Sequence, residues 1–295
     1  MQSTPALSQS SGSGAYPDTA SEPEGAQQLR ICLPDGGSTR WLECHSLKGV
    51  ILAGGTGSRL HPLTRITNKH LLPIYDRPMV CHAIEALVEA GVRELMVVTG
   101  GTHAGEFFRL LGSGQEYGIH RLFYAYQERP GGIAEALGLA HHFVDGDRVV
   151  VMLADNVFEH SLKSAVQAFG AQPQGARIVL SKLQDHSHLR HLGVVQFDGD
   201  QRVARIIEKP QEPPSTYAVT GVYFYDASVF DVIAGLEPSG RGELEITDVN
   251  NHYVEAGLME YDVIDGFWGD AGESIDAYYA VNDFVRRHGS NRTSA

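Results

Sequence analysis

A glycine-rich segment directly after an apolar run constrains this chain more than any other feature. Residues 49–53 are apolar and predict a buried strand. Three of the next four residues, 54–57, are glycines, which allow a sharp turn whose backbone amides a phosphate can approach. Arg59 follows at once and Lys69 ten residues later. Exposed amides with two cations predict a site for a triphosphate.

Two better-known phosphate loops fit this segment poorly. The Walker pattern Gly-x4-Gly-Lys-Ser/Thr is absent. In the dinucleotide pattern a third glycine would stand where this chain has Leu60, and Pro62 would end a helix within its first turns. Asp76 has nearly the spacing of a ribose-binding acid, so an oxidoreductase remains an alternative, as does an ordinary strand-to-helix turn.

Charge and cysteine content narrow the class of protein. The net charge of −13 argues against duplex nucleic acid or an anionic membrane as a partner, and no apolar run is long enough to span a bilayer. A mononucleotide stays compatible, because local cations and Mg²⁺ can offset that charge. Cys32, Cys44 and Cys81 have no zinc-like spacing and predict free thiols in a reducing compartment. We therefore expect a cytoplasmic protein.

Composition also divides the chain into segments. Residues 1–28 are rich in Ser, Gly, Pro and Gln and predict a disordered tail without the features of a signal peptide. Residues 29–47 predict an accessory extension that could form a hairpin. The main domain is expected over 48–288, and residues 289–295 are expected to be a frayed tail.

Strand and helix signals alternate through the first part of the main domain. Such repeats predict an α/β fold of the Rossmann-like three-layer type, with a mixed, mostly parallel sheet and helices on both faces. We expect one helix capped by Asp76, one unbroken helix over 133–143 and a last helix over 274–287. The pattern becomes β-rich after Gly193, with a hairpin signal at 198–200.

Two aspartates are candidates for a metal site. Asp155 ends the apolar strand predicted over 148–154, where an unpaired carboxylate would be costly. Asp270 lies in the segment 268–272, which we predict to be a glycine-flanked loop. Two carboxylates from distant strands can hold Mg²⁺ against a triphosphate, although either alone could be a helix cap or a turn former.

Two further groups carry possible chemistry. Pro210 predicts an extended conformation for Lys209, whose ammonium could bind a phosphate, while Glu208 could accept hydrogen bonds from sugar hydroxyls. An exposed Glu/Lys pair is the simpler alternative. Three histidines are crowded over 186–191, where a solvated loop is favoured over a metal site because fixed, converging ligands are not evident.

Several motifs, taken together and in order along the chain, resemble those of one protein family. The chain closely resembles the sugar-1-phosphate nucleotidyltransferases from about residue 48 to residue 287. The matching segments are 52–60, 61–64, 68–79, 154–156, 193–195, 208–210, 217–226 and 241–250, together with Gln127, Gly132 and Asp270.

The resemblance implies a role for each candidate residue. Arg59, Lys69 and Lys209 would be the catalytic cations; Gly54, Gly55, Gly57, Gln127 and Gly132 would bind the nucleotide; Asn156, Gly193, Glu208 and Val219 would bind the sugar in the small β-rich part; Asp155 and Asp270 would hold Mg²⁺. The chain departs from the family at His70, Gly131 and Gly269, where Gln, Asp and a bulkier residue are frequent.

The resemblance also implies the reaction. A nucleotidyl group would pass from an NTP to a hexose-1-phosphate, giving an NDP-sugar and pyrophosphate in dTDP-sugar biosynthesis. We expect dTTP and glucose-1-phosphate as substrates, with UTP as the alternative nucleotide. A non-catalytic nucleotide-sugar-binding protein is the alternative from another class. A homo-oligomer is compatible with the family, and no nucleic acid or membrane partner is expected.

Overall fold

Strand β1 (Leu47–Ala53) is central to the fold, and the computed structural model describes the chain over residues 46–292. The other strands are β2 (Pro73–Ile74), β3 (Arg77–Pro78), β4 (Glu94–Gly100), β5 (Arg121–Gln127), β6 (Arg148–Leu153), β7 (Asn156–Phe158), β8 (Ala176–Lys182), β9 (Gly193–Phe197), β10 (Val203–Glu208), β11 (Tyr217–Tyr225), β12 (Met259–Val263) and β13 (Trp268–Asp270). The helices are α1 (Met79–Glu89), α2 (Ala104–Leu111), α3 (Ile133–Gly138), α4 (His141–Val144), α5 (Lys163–Ala171), α6 (His186–Leu189), α7 (Val229–Ala234), α8 (Ile246–Glu255) and α9 (Ile275–His288).

The main sheet is mixed, as predicted. Its order is β10-β9-β11-β6-β1-β4-β5, and β8 extends it by pairing with β11 and β12. The neighbours β6, β1, β4 and β5 are parallel, whereas β11 pairs antiparallel with β6, β8 and β9. The carboxyl ends of the four parallel strands meet at one edge, where ligands bind in sheets of this kind.

Helices cover both faces of the sheet. Alternate residues of β1 enter different cores: Ile51 packs with α1, α2 and α5, while Val50 and Leu52 pack with α3, α7 and α8. All three are buried. Burial of both faces explains why the strand is apolar throughout residues 49–53, and it confirms the predicted three-layer architecture.

A third apolar cluster fixes the long connection between β1 and α1. Leu60 and Ile74 pack there against Tyr278 and Val281 of α9. The Tyr278 hydroxyl also donates to the carbonyl oxygen of Pro73 at 2.6 Å. This packing anchors the segment that carries the two predicted cations.

The helix cap predicted at Asp76 is wrong. Residues 73–78 form a two-residue hairpin between β2 and β3, with Tyr75 at its tip in a left-handed conformation (φ 57°). Asp76 instead accepts hydrogen bonds from the Arg77 guanidinium at 2.8 and 2.9 Å, and α1 begins only at Met79. The Asp76 side chain is engaged beside the turn and does not cap the helix.

The unbroken helix predicted over 133–143 is also wrong. Leu139 still has right-handed helical dihedral angles, but Ala140 departs from them (φ −87°, ψ 0°), so α3 and α4 are separate. His141 and His142 begin the second helix and do not end the first. Strands β7 and β12 had no counterpart in the sequence interpretation.

The ends of the chain lie partly outside the described residues. The disordered tail predicted over 1–28 and most of the extension over 29–47 fall there, as do Cys32 and Cys44. Cys81 is a buried free thiol. Residues 289–292, predicted as part of a frayed tail, pack on the domain: Asn291 Nδ2 donates to the carbonyl oxygen of His82 at 2.9 Å. Over residues 46–292, no helix combines the length and apolarity needed to cross a bilayer.

Candidate functional site

A cleft of about 390 Å³ opens at the carboxyl ends of the parallel strands. Thirteen of the fourteen predicted site residues line it, and Gly57 is the exception. The thirteen are Gly54, Gly55, Arg59, Lys69, Gln127, Gly132, Asp155, Asn156, Gly193, Glu208, Lys209, Val219 and Asp270.

Gly57 has a packing role beside the cleft. Its φ of 63° is left-handed, and a Cβ there would lie 2.9 Å from Thr64 and 3.0 Å from Lys69. The Thr64 hydroxyl donates to the carbonyl oxygen of Gly57 at 2.9 Å. The glycine therefore lets the loop close tightly on the segment that presents Lys69. Arg59 lies beyond it in a short 3₁₀ helix (Ser58–Leu60), with its side chain exposed at the cleft.

Lys69 and Asp155 form the most buried ion pair of the cleft. Lys69 Nζ lies 2.5 Å from Asp155 Oδ2. Burial alone would lower the pKa of Lys69, but the negative charges of Asp155 and Asp270 outweigh it and raise that pKa. Burial opposes the charged form of Asp155 too, yet Lys69 and His70 hold its pKa well below the usual range. Both groups are therefore charged at neutral pH.

His70 is buried beside this pair. Its Nδ1 lies 3.0 Å from Asn68 Oδ1, and its Nε2 lies 3.9 Å from Asp155 Oδ2. Burial lowers the pKa of His70. In the sequence, His70 is notable only as a departure from the family pattern. In the structure, His70 lines the cleft.

Asp270 comes next to Asp155 through strand pairing. The loop predicted over 268–272 is wrong in its first half, because residues 268–270 form β13, which pairs antiparallel with β7. Asp270 lies opposite Asn156, and the amide of Ala271 donates to the carbonyl oxygen of Asp155 at 2.9 Å. Burial and the charge of Asp155 raise the pKa of Asp270 to about 7. Two carboxylates thus share a site with too little positive charge for both.

Asn156 holds this region together. Its Oδ1 accepts hydrogen bonds from the amide of Gly221 at 2.9 Å and from Trp268 Nε1 at 2.6 Å. Its Nδ2 donates to Asp155 Oδ1 at 3.0 Å. The side chain fixes Asp155 to two other elements, while its predicted contact with a sugar stays a prediction.

The opposite end of the cleft is built from β9, β10 and β11. Gly193 pairs with Glu208, and a Cβ at Gly193 would lie 3.6 Å from Glu208 Oε2 and 3.8 Å from Val219. Glu208 Oε2 accepts a hydrogen bond from the Thr247 hydroxyl at 2.8 Å. Lys209 Nζ lies 3.2 Å from Glu208 Oε1.

The extended conformation predicted for Lys209 is wrong. Its φ is 46°, in the left-handed region, although Pro210 follows. The amide of Lys209 donates to the carbonyl oxygen of Leu192 at 3.0 Å, which ties the turn to the neighbouring loop. This tertiary hydrogen bond accompanies a backbone geometry that the local preference disfavours.

The side of the cleft that is predicted to bind the nucleotide contains Gln127 and Gly132. Gln127 ends β5 and donates to the carbonyl oxygen of Gly132 at 3.3 Å. Gly132 has a φ of 101°, and a Cβ there would overlap the backbone of Leu244. The amide of Leu244 donates to the carbonyl oxygen of Gly131 at 2.8 Å. Only glycine permits this close approach of two backbones.

Sequence reasoning missed several lining residues. Tyr223 is buried, and the burial of its hydroxyl raises its pKa. It shares a strand face with Val219 and Gly221, so the alternation of β11 could have identified it. Thr247 and Trp268 carried no such signal, because only tertiary contacts bring them to the cleft.

The predicted histidine loop contains a short helix. Residues 186–189 form α6, and His188 Nε2 contacts Glu273 Oε2. Among the side chains that the structure describes within residues 46–292, no group of three or more His, Cys, Asp or Glu residues could hold a metal ion.

Comparison with known proteins gives a consistent result. The family model described as nucleotidyl transferase matches residues 48–288. The glucose-1-phosphate thymidylyltransferase of Actinoplanes sp. is 43% identical over 243 residues, covering 81% of this chain and 78% of the relative. The enzyme of that name from Neisseria meningitidis is 41% identical over 239 residues, covering 80% and 82%.

Solved structures show the same similarity. A crystal structure described as a candidate glucose-1-phosphate thymidylyltransferase from Bacillus anthracis, in complex with sucrose, matches with a TM-score of 0.77 and 45% identity. The match covers 82% of this chain and 96% of that one. A UDP-glucose pyrophosphorylase complexed with UDP-glucose matches with a TM-score of 0.71 and 22% identity, covering 82% and 99%, which shows a shared fold.

Proposed function

The chain belongs to the nucleotidyl transferase family, and on that premise we propose that it transfers a thymidylyl group from dTTP to glucose-1-phosphate. The products are dTDP-glucose and pyrophosphate. The names of relatives at 41–43% identity support these substrates. The observation that carries the proposal is one cleft in which Arg59, Lys69 and Lys209 face a pair of aspartates.

The chemistry requires charge and alignment more than proton transfer. A phosphate oxygen of glucose-1-phosphate attacks the α-phosphorus of dTTP, a new P–O bond forms, and the bond to the β-phosphate oxygen breaks as pyrophosphate leaves. The attacking oxygen is already anionic, so no general base is needed. Arg59 binds the triphosphate and Lys69 compensates charge near the α-phosphate. Holding both substrates in line supplies much of the rate.

The two aspartates fit a divalent cation such as Mg²⁺. Asp270 lies on β13 and Asp155 directly precedes the paired strand β7, and burial together with the negative charge of Asp155 raises the pKa of Asp270. Magnesium takes one or two protein carboxylates and completes its shell with water and substrate phosphates, so two carboxylates suffice. When bound, the ion would neutralise charge on the phosphates. Asp155 keeps its orientation through Lys69 and Asn156.

The sugar phosphate would bind at the other end of the cleft. Lys209 supplies a cation for its phosphate, and Glu208 supplies carboxylate oxygens for its hydroxyls. Glu208 is already oriented by Thr247, so it pays less side-chain entropy on binding. Gly193 and Val219 leave the space beside it open to a pyranose ring, and Asn156 borders that space.

A substrate matrix tests the proposal. Purified protein is mixed with Mg²⁺, each of dTTP, UTP, CTP and ATP, and each of several hexose-1-phosphates, and pyrophosphate is measured. We expect the highest kcat/KM for dTTP with glucose-1-phosphate. A preference for UTP would change the proposed nucleotide substrate, but the reaction would still be nucleotidyl transfer. Nucleotide-sugar binding without pyrophosphate from any pair would favour the non-catalytic alternative.

A further inference from the structure

The side-chain amide of Gln127 is held in one orientation. Its Nε2 donates to the carbonyl oxygen of Gly132 at 3.3 Å and to Glu135 Oε1 at 3.1 Å. A carbonyl and an ionised carboxylate can only accept hydrogen bonds. Both contacts therefore require the NH₂ group of Gln127, and a flipped amide would lose both.

This orientation leaves the Gln127 oxygen available to a ligand. A Cβ at Gly54 would lie 3.2 Å from Gln127 Oε1, so the oxygen faces the end of β1 across the cleft. Among the residues that the structure describes, none donates a hydrogen bond to Oε1. This oxygen is also not one of the fully buried polar atoms that lack a partner. Gln127 thus offers a fixed acceptor on the nucleotide side.

The Glu135 carboxylate has its position because residue 131 has no side chain. A Cβ at Gly131 would overlap that carboxylate. Its second oxygen lies 3.6 Å from Arg129, whose side chain is 83% exposed. The contact with Gln127 is therefore the one that reaches the cleft, and the contact with Arg129 faces solvent.

We propose that Glu135 is a positioning residue for nucleobase recognition, acting by locking Gln127 with its oxygen toward the base. The proposal rests on the proposed function. A fixed acceptor fits the N3–H group of thymine or uracil. It does not fit N3 of cytosine, which is itself an acceptor and would face the Gln127 oxygen without a hydrogen between them. Glu135 thereby contributes to selection of an imide base.

Kinetics of four single variants and one double variant test this role, with pyrophosphate release measured at varied concentrations of dTTP, CTP and glucose-1-phosphate. For Glu135→Ala we expect the KM for dTTP to rise, and the preference for dTTP over CTP to fall, each by at least about tenfold, the loss of one charge-assisted hydrogen bond. The KM for glucose-1-phosphate should stay within about twofold, inside the ordinary scatter of surface substitutions.

Two variants distinguish loss of the hydrogen bond between Glu135 and Gln127 from loss of the Glu135 side chain itself. Gly131→Ala displaces the carboxylate without removing it and should reproduce the effect, and the double variant should be no worse than either single one. Glu135→Gln keeps an acceptor oxygen and should recover part of the dTTP preference. Arg129→Ala is the matched control, and it should leave all three constants unchanged.

The outcomes discriminate between the possibilities. An active enzyme whose Glu135→Ala and Gly131→Ala variants keep the dTTP preference would overturn the role of Glu135 and leave the function standing. If the KM values for dTTP and for glucose-1-phosphate rise equally and the melting temperature falls as well, Glu135 has a structural role, and the proposal is overturned. If the unmodified protein releases no pyrophosphate, calorimetric binding of dTTP and CTP to it and to Glu135→Ala decides the inference separately.

Discussion

Asp270 lies opposite Asn156 in the antiparallel pairing of β13 with β7, which brings its carboxylate beside that of Asp155. The two acids are 115 positions apart in sequence, and the short ladder of β13 with β7 brings them together. Because the ladder also includes Trp268, whose indole donates to Asn156, the spacing of the acids is fixed by backbone and side chain together. This rigidity suits a site that must hold charge in place.

Replacing Asp270 by Asn should separate activity from stability. We expect kcat to fall at least about a hundredfold, since a metal ion in such sites contributes several kcal/mol to the transition state. The melting temperature without Mg²⁺ should rise by about 2 °C or more, because a buried like-charge contact is removed. Scanning fluorimetry and pyrophosphate release measure the two effects. Asp200→Asn, at an exposed turn, is the control. A lower melting temperature would contradict the electrostatic account.

Replacing Arg59 by Ala should abolish turnover and leave the fold intact. The side chain is exposed at the cleft, so its removal costs little packing. Losing one preorganised donor to developing charge costs about 3 kcal/mol, or at least about a hundredfold in kcat. Arg65→Ala, an exposed arginine in the same connection, is the control. Near-normal turnover by purified Arg59→Ala would refute the role given to this residue.

Replacing Lys209 should weaken binding of the sugar phosphate selectively. We expect the KM for glucose-1-phosphate to rise at least about tenfold, while the KM for dTTP changes little, because one charge-assisted contact is lost. Since Lys209 has a φ of 46°, Lys209→Gly should show the same KM as Lys209→Ala with less backbone strain. Lys163→Ala, exposed on α5, is the control. A normal KM in Lys209→Gly would assign the effect to the backbone and contradict a phosphate contact.

His82 should make stability depend on pH. Its Nε2 lies 3.1 Å from the carbonyl oxygen of Ile74 and its Nδ1 lies 3.0 Å from the Ser290 hydroxyl. Burial lowers the pKa of His82 from 6.5, so the unfolded chain binds a proton that the native state resists. The contribution of neutral His82 to the free energy of unfolding is therefore complete above pH 6.5. It is lost as the pH falls below 6.5, by at most about 1.4 kcal/mol per pH unit.

Urea unfolding at several pH values measures this dependence. His82→Gln should unfold with a smaller decrease in stability between pH 6.5 and more acidic conditions than the unmodified chain. His120→Gln, an exposed histidine, is the control. Parallel pH profiles for the unmodified chain and His82→Gln would show that His82 does not titrate with unfolding.

The part of the site that depends on strand ends could be predicted from the sequence. Gly54, Gln127 and Asp155 each follow or end an apolar strand, and parallel strands of one sheet bring their carboxyl ends together. This argument needs only the local pattern and the sheet type. The resemblance to a family added the residues from the β-rich part.

The remaining features depend on tertiary contacts that leave no local pattern. The three residues of β13 are too few for a recognisable alternation, and only the pairing with β7 makes them a strand. Lys209 adopts a conformation that its neighbour Pro210 disfavours. From the sequence alone, Glu135 is indistinguishable from any other polar residue of a helix. Only the structure shows that it accepts a hydrogen bond from Gln127.

Pyrophosphate release by the purified chain with Mg²⁺, dTTP and glucose-1-phosphate is the decisive measurement of metal-dependent nucleotidyl transfer in this cleft. We expect one pyrophosphate and one dTDP-glucose per dTTP consumed, with turnover lost when EDTA removes the metal and restored when Mg²⁺ is added back. Unchanged turnover in EDTA would contradict the role of the aspartate pair. No release with any NTP and hexose-1-phosphate would contradict nucleotidyl transfer in this cleft.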